Sequence, residues 1–127
     1  MCDVFLIENN RNLRDTLTEG LAMHGYAVCS KPNGLESIIS LIKSCPSLIV
    51  YDVEKNEEYD RFKKMLFANK HYQSVPVLLT SSHEIKNWSG TGALDFLEKP
   101  YSLKKLLNLV EIGLSKTVNR AKSKSPS

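Results

Sequence analysis

The stretch Ser47 to Lys55, S-L-I-V-Y-D-V-E-K, restricts the folds open to this chain more than any other. Behind Pro46, five residues of strand-like character run without interruption into Asp52. An apolar run this short, rich in β-branched and aromatic side chains, suits a strand buried on both faces of a parallel sheet. In an open α/β sheet the ligand crevice lies outside the carboxyl ends of the strands. Asp52 is therefore expected where such folds do their chemistry.

The rest of the chain alternates around that strand. Asp3 to Ile7 reads as a first buried strand, and Leu13, Leu17 and Leu21 recur at helical spacing until Gly25. Ala27 to Ser30 is a short second strand. After the turn residues Pro32, Asn33 and Gly34, a helix is expected to place Leu35, Ile38, Ile39 and Ile42 on one face. Glu54 to Glu58 reads as a polar loop, and Tyr59 to about Lys70 as a third helix with Phe62, Met65 and Leu66 inward. Val75 to Thr80 is the fourth strand. Ser82 to Gly92 is polar, holds two glycines and supports at most a turn or two of helix. Leu94 to Leu97 is the fifth strand, and Ser102 caps a last helix carrying Leu103, Leu106, Leu107, Val110 and Leu114. Five strand-and-helix units in succession predict an α/β fold: a five-stranded parallel sheet, doubly wound, with right-handed crossovers.

Length and charge restrict the reading further. The 127 residues suffice for one domain, expected over 1–115, with 116–127 as a basic tail or linker without fixed structure. The net charge of +3 comes from that tail: Lys116, Arg120, Lys122 and Lys124 stand without an acid and leave residues 1–115 at −1. A nearly neutral domain lacks the basic footprint of a nucleic-acid surface. Cys2, Cys29 and Cys45 form no close pair, which argues against a disulfide framework and for a reducing cytoplasm, and His24, His71 and His83 have no ligand spacing. No window is long and apolar enough for a membrane span. Met1 leads into a core strand rather than a secretory signal.

Stacked as a parallel sheet, the strands deliver Glu8 and Asn9, Asp52, Ser81 and Lys99 to one rim. Carboxylates, a hydroxyl and an ammonium group together suit phosphoryl transfer, with Asp52 as the nucleophile. Thr80, Ser82 and His83 flank Ser81, so a one-residue slip would put another hydroxyl in its place. The turn after the first strand, E-N-N-R-N, lacks a glycine-rich phosphate loop. That argues against a nucleotide-binding enzyme.

These motifs have a familiar order: L-I-E-N-N; L-R-x-x-L-x-x-x-L-x-x-x-G-Y from Leu13 to Tyr26; P-S-L-I-V-Y-D to Asp52; V-P-V-L-L-T-S; and G-A-L-D-F-L-E-K-P-Y from Gly92 to Tyr101. Over roughly residues 3 to 115 the chain resembles a response-regulator receiver domain of two-component signalling, a flavodoxin-like architecture. The resemblance implies a signalling domain, not an enzyme. Its phosphoacceptor falls on Asp52, its switch hydroxyl on Ser81, its lysine on Lys99 ahead of Pro100, and its aromatic switch on Phe96. It implies Mg2+ held by Glu8, Asn9, Asp52 and the backbone carbonyl of Glu54, and a histidine kinase or phosphotransfer protein as partner. A downstream protein target is implied without being specified, and a homodimer is left open.

Three departures stand out. Asn9 puts a neutral amide where the family usually has a carboxylate, which predicts weakened Mg2+ affinity. Glu54, Glu57 and Glu58 crowd the mouth of the site. The interval from Ser81 to Lys99 is shorter than is common, which predicts a reduced fourth helix in the family's numbering. These departures favour an alternative: a pseudo-receiver that binds partners constitutively, without phosphorylation.

Overall fold

The computed structural model describes residues 2–54, 56–85 and 88–124, with the side chains of residues 35, 56, 57, 89 and 116–124 outside that description. The element order is β1 (Val4–Ile7), α1 (Arg11–Met23), β2 (Val28–Lys31), α2 (Leu35–Ser44), β3 (Leu48–Asp52) and α3 (Asn56–Phe67). A 3-10 turn (Lys70–Ser74), β4 (Val77–Ser81), a second 3-10 turn (Trp88–Thr91), β5 (Asp95–Glu98) and α4 (Leu103–Lys124) complete it. The strands form one parallel sheet in the order β2-β1-β3-β4-β5. This is the flavodoxin-like order, with its topological switch between β1 and β3.

Local chemistry sets the element ends. Asn10 caps α1 by accepting a hydrogen bond from the Leu13 N–H at 3.0 Å, and Gly25 beyond its end takes φ +91°. Ser102 Oγ accepts from the Lys105 N–H at 3.1 Å at the start of α4. The strand boundaries shift by one or two residues from those expected. β4 begins at Val77 because Pro76 has no N–H for the ladder, although its carbonyl still accepts from Ile49. The expected loop at Glu54 to Glu58 is shorter, since α3 starts at Asn56 and ends at Phe67 rather than near Lys70. Among the described residues between β4 and β5, the turn Trp88–Thr91 is the only helical piece, as the reduced interval predicts. Trp88 covers the core there, half-buried. The backbone of α4 continues past residue 115 to Lys124, through a segment free of glycine and proline.

Helices cover both sheet faces. On one, Phe5, Ile7, Ile49, Tyr51, Val77 and Leu79 pack against Leu41 of α2 and Tyr59, Phe62 and Leu66 of α3. On the other, Val4, Leu6, Leu48, Val50, Leu78 and Leu97 pack against Leu17 and Leu21 of α1 and Leu106 and Val110 of α4. Three helix positions depart from expectation. Ile39, Ile42 and Met65 are 48%, 43% and 46% exposed, because Leu41 and the Phe62–Leu66 pair take the sheet-facing stripes and turn these residues outward. The expected core place of Leu35 lies outside the described side chains.

Candidate functional site

Side chains alternate between sheet faces along each strand, so the carboxyl rim carries two sets of groups. Asp52 shares its face with Leu48 and Val50, and the register sets it beside Thr80 of β4. Glu8 continues the face of Val4 and Leu6, and Lys99 that of Leu97, toward the same place. The Lys99 ammonium lies 2.7 Å from Glu8 Oε1 and 3.0 Å from Asp52 Oδ1. Both carboxylates are buried, and one cation serves both.

Thr80 Oγ1 donates to Asp52 Oδ1 at 3.2 Å. Ser81, expected to supply the switch hydroxyl, points to the other face, and its Oγ accepts from the His83 N–H at 3.1 Å. A slip of one residue thus decides which hydroxyl touches the aspartate. Glu8 is further tied by Oε2, which accepts from the Asn10 N–H at 3.0 Å, and by its carbonyl, which accepts from Arg14 at 2.8 Å.

Burial shapes the charges. It raises the Glu8 carboxyl above its ordinary range, against the opposing pull of Lys99 and the Asn10 N–H. For Lys99 burial acts to lower the ammonium, but hydrogen bonds to Glu8 and Asp52 outweigh it and the net shift is upward. Lys99 therefore stays cationic at neutral pH. Tyr101, quoted above only as part of a motif, belongs to this neighbourhood too. Burial, then the charges of Glu8 and Asp52, push its phenol far up, against a smaller opposing pull from the neighbouring Thr80 hydroxyl. No polarity signal in K-P-Y could have assigned it there.

Asn9 turns the other way. Its Oδ1 accepts from the Asn33 N–H at 2.7 Å and its Nδ2 donates to Glu54 Oε1 at 3.0 Å. Glu58 lies near Asn33 Nδ2 at 3.4 Å, and the Glu57 side chain is outside the description. Phe96 is half-buried and packs on the α2/α3 face, opposite the face that carries Asp52. The Lys99–Pro100 peptide is cis.

Receiver domains generally bind Mg2+. Glu8 and Asp52 provide buried carboxylate oxygens of the kind a hard cation takes, but they share Lys99, and no group of three His, Cys, Asp or Glu among the described residues is placed to hold a metal. The donor chemistry fits such an ion, held through few ligands. No helix among the described residues is long and apolar enough to cross a membrane.

A doubly wound sheet of this order, with an acid and an amine meeting at its carboxyl rim, defines a receiver architecture. No protein-family model matches the chain. The response regulator FleR of Pseudomonas aeruginosa is 27% identical over 111 residues, covering 84% of this chain and 23% of that protein. The transcriptional regulatory protein CrdR of Helicobacter pylori is 31% identical over 109 residues, covering 81% of this chain and 50% of that protein. The crystal structure of the signal receiver domain of a Luxo repressor protein from Vibrio parahaemolyticus superposes with TM-score 0.86 at 21% identity, covering 98% of both chains. In sequence the chain is similar to the receiver parts of response regulators, and its fold is that of receiver domains. It spans about a quarter to a half of the length of the curated relatives it matches.

Proposed function

We propose that this receiver accepts a phosphoryl group on Asp52 from the phosphohistidine of a histidine kinase or phosphotransfer protein, and that this phosphorylation changes a protein-binding surface. The observation that supports it is the Lys99 ammonium held within 3.0 Å of both Glu8 and Asp52, a fixed cation where phosphoryl oxygens would gather. Lys99 and Thr80 both bind Oδ1, so Oδ2 is assigned as the nucleophile. Its lone pair forms the P–O bond as the P–N bond breaks, and the imidazole nitrogen leaves with the electron pair and takes up a proton.

When bound, Mg2+ neutralises phosphoryl oxygens, with Glu8, Asp52 and the Glu54 backbone carbonyl as its holders and Asn9 at the edge. The neutral Asn9 amide and the prior hold of Lys99 on both carboxylates weaken that binding. Ser81 is assigned as the switch hydroxyl. To bond a phosphoryl oxygen it must release the His83 N–H, and Phe96 is assigned as the aromatic that responds. The domain is assigned to residues 1–115, with direct nucleic-acid binding left to other parts of such regulators.

The pseudo-receiver reading draws on one observation: the Asn9 amide is engaged at both ends, so it is not free to serve a metal. Incubation with a small phosphodonor and Mg2+ separates the two readings. A phosphoryl adduct in the intact mass that is missing from Asp52→Asn supports transfer. A folded protein that takes up none rejects it for constitutive association.

A further inference from the structure

The rim has a second face, of which the phosphoacceptor reading uses only Ser81 and Phe96. Between the start of α2 and α3 lies a cavity of about 390 Å³, within the range of small-molecule sites. Tyr51 and Phe62 line it, their rings stacked with centroids 4.3 Å apart, and Ile38 and Met65 add apolar wall. Both aromatics are buried, so their placement is set by the core and not by a ligand.

The polar groups of this cavity are mismatched among themselves. The Tyr51 hydroxyl accepts from Asn33 Nδ2 at 3.0 Å, yet its own proton has no acceptor among the described residues. Burial pushes that phenol up to about 12, which keeps it a donor at neutral pH. Glu58 and Arg61 also line the space, one turn apart on α3, and neither forms an ion pair among the described residues. Gly34, the N-cap of α2, borders the cavity without a side-chain cap, so the amino end of that helix adds positive character beside Arg61.

An apolar wall over a buried aromatic floor, an acid held only by a long 3.4 Å bond from Asn33, a base without an ion pair among the described residues, and a free donor call for one kind of occupant. We infer that this cavity binds a small aromatic zwitterion of the size of a free aromatic amino acid. Its ring would lie against the accessible Ile38 and Met65, over the buried Tyr51–Phe62 stack, its ammonium toward Glu58, and its carboxylate toward Arg61 and the α2 amino end. Asn9 borders the same cavity and reaches Glu54 beside Asp52, so the occupant would sit one hydrogen-bonded residue away from the phosphoacceptor.

Calorimetric titration of the full chain with L-phenylalanine and L-tryptophan tests this, alongside the matching aryl propionates and aryl ethylamines. The amino acids should bind at least about tenfold more tightly than either truncated analogue. Arg61→Ala should weaken the amino acid and leave the ethylamine unchanged, and Glu58→Gln should weaken the amino acid and leave the propionate unchanged. Both residues lie on the outer part of α3, and an unchanged circular dichroism spectrum confirms folded variants. Asp52→Asn should bind as the parent does, which separates this inference from the phosphoryl-transfer reading. Absence of binding at millimolar amino acid, or binding indifferent to both charge substitutions, overturns it.

Discussion

Thr80 donates a hydrogen bond to Asp52 Oδ1 at 3.2 Å, from the position that β4 pairs directly with the aspartate. Both residues are buried, so the bond is shielded from water. A hydrogen bond to a charged group is worth about 1.5–3 kcal/mol. Thr80→Val, nearly the same shape, should lose about that much in urea unfolding at neutral pH. Ser81→Ala loses only a bond to a turn N–H and should cost about 1 kcal/mol or less. The reverse ranking would contradict the assignment of the two hydroxyls to opposite faces.

Replacing Lys99 by Met removes the cation that two buried carboxylates share. Breaking a buried pair from one side typically costs about 3–5 kcal/mol. The lower end is expected here, because Lys99 is 18% exposed. The loss should shrink on acidification. The Glu8 carboxyl in the fold already lies above its ordinary range, so falling pH protonates it there first and favours the folded state. Unfolding curves of parent and variant across the acid range should converge. Phosphoryl uptake should be lost at every pH.

Asn9→Asp should restore a second acid at the metal edge and put a like charge beside Glu54, which now accepts from the amide at 3.0 Å. Without metal the variant should melt at a lower temperature than the parent. With Mg2+ it should recover, with affinity raised by roughly tenfold. Thermal melts over a Mg2+ titration measure both effects, and equal affinities would remove Asn9 as the cause of weak binding.

Buried phenols should make the fold fail on the alkaline side. Burial pushes Tyr51 and Tyr72 up from 10.0 to about 12, and Tyr72 donates to the Leu41 and Ile42 carbonyls at 2.9 Å. The folded chain holds these protons more tightly than the unfolded one. Their stabilisation is complete below pH 10 and is lost as pH rises through about 12. The buried Cys2 thiol, also pushed up to about 12, and the raised Lys99 ammonium act in the same direction. Urea unfolding in steps above pH 10 should show that decline, and Tyr72→Phe should make the slope shallower by one phenol's share.

Much of this was legible in the chain. Five apolar runs separated by helical spacing specify alternating strands and helices, and a parallel sheet follows because each unit must return to the same end. Asp52, Lys99 and Glu8 could be placed at the rim because each directly follows or ends such a run. The helix faces were less legible. In α2 and α3 nearly every apolar residue fits some stripe, and only packing turned Ile39, Ile42 and Met65 outward in favour of Leu41.

The sequence by itself determined the order of the elements and the end of the sheet where the reactive groups emerge, because strand length and period are local properties. Which neighbour faces which partner was a tertiary decision. The period of two says that Thr80 and Ser81 point apart, but β4 is apolar on both sides, so no pattern within it marks the side of Asp52. The register with β3 settles that, as it sets Glu8 toward Lys99 and Asn9 toward Asn33, through pairings between strands far apart in the chain.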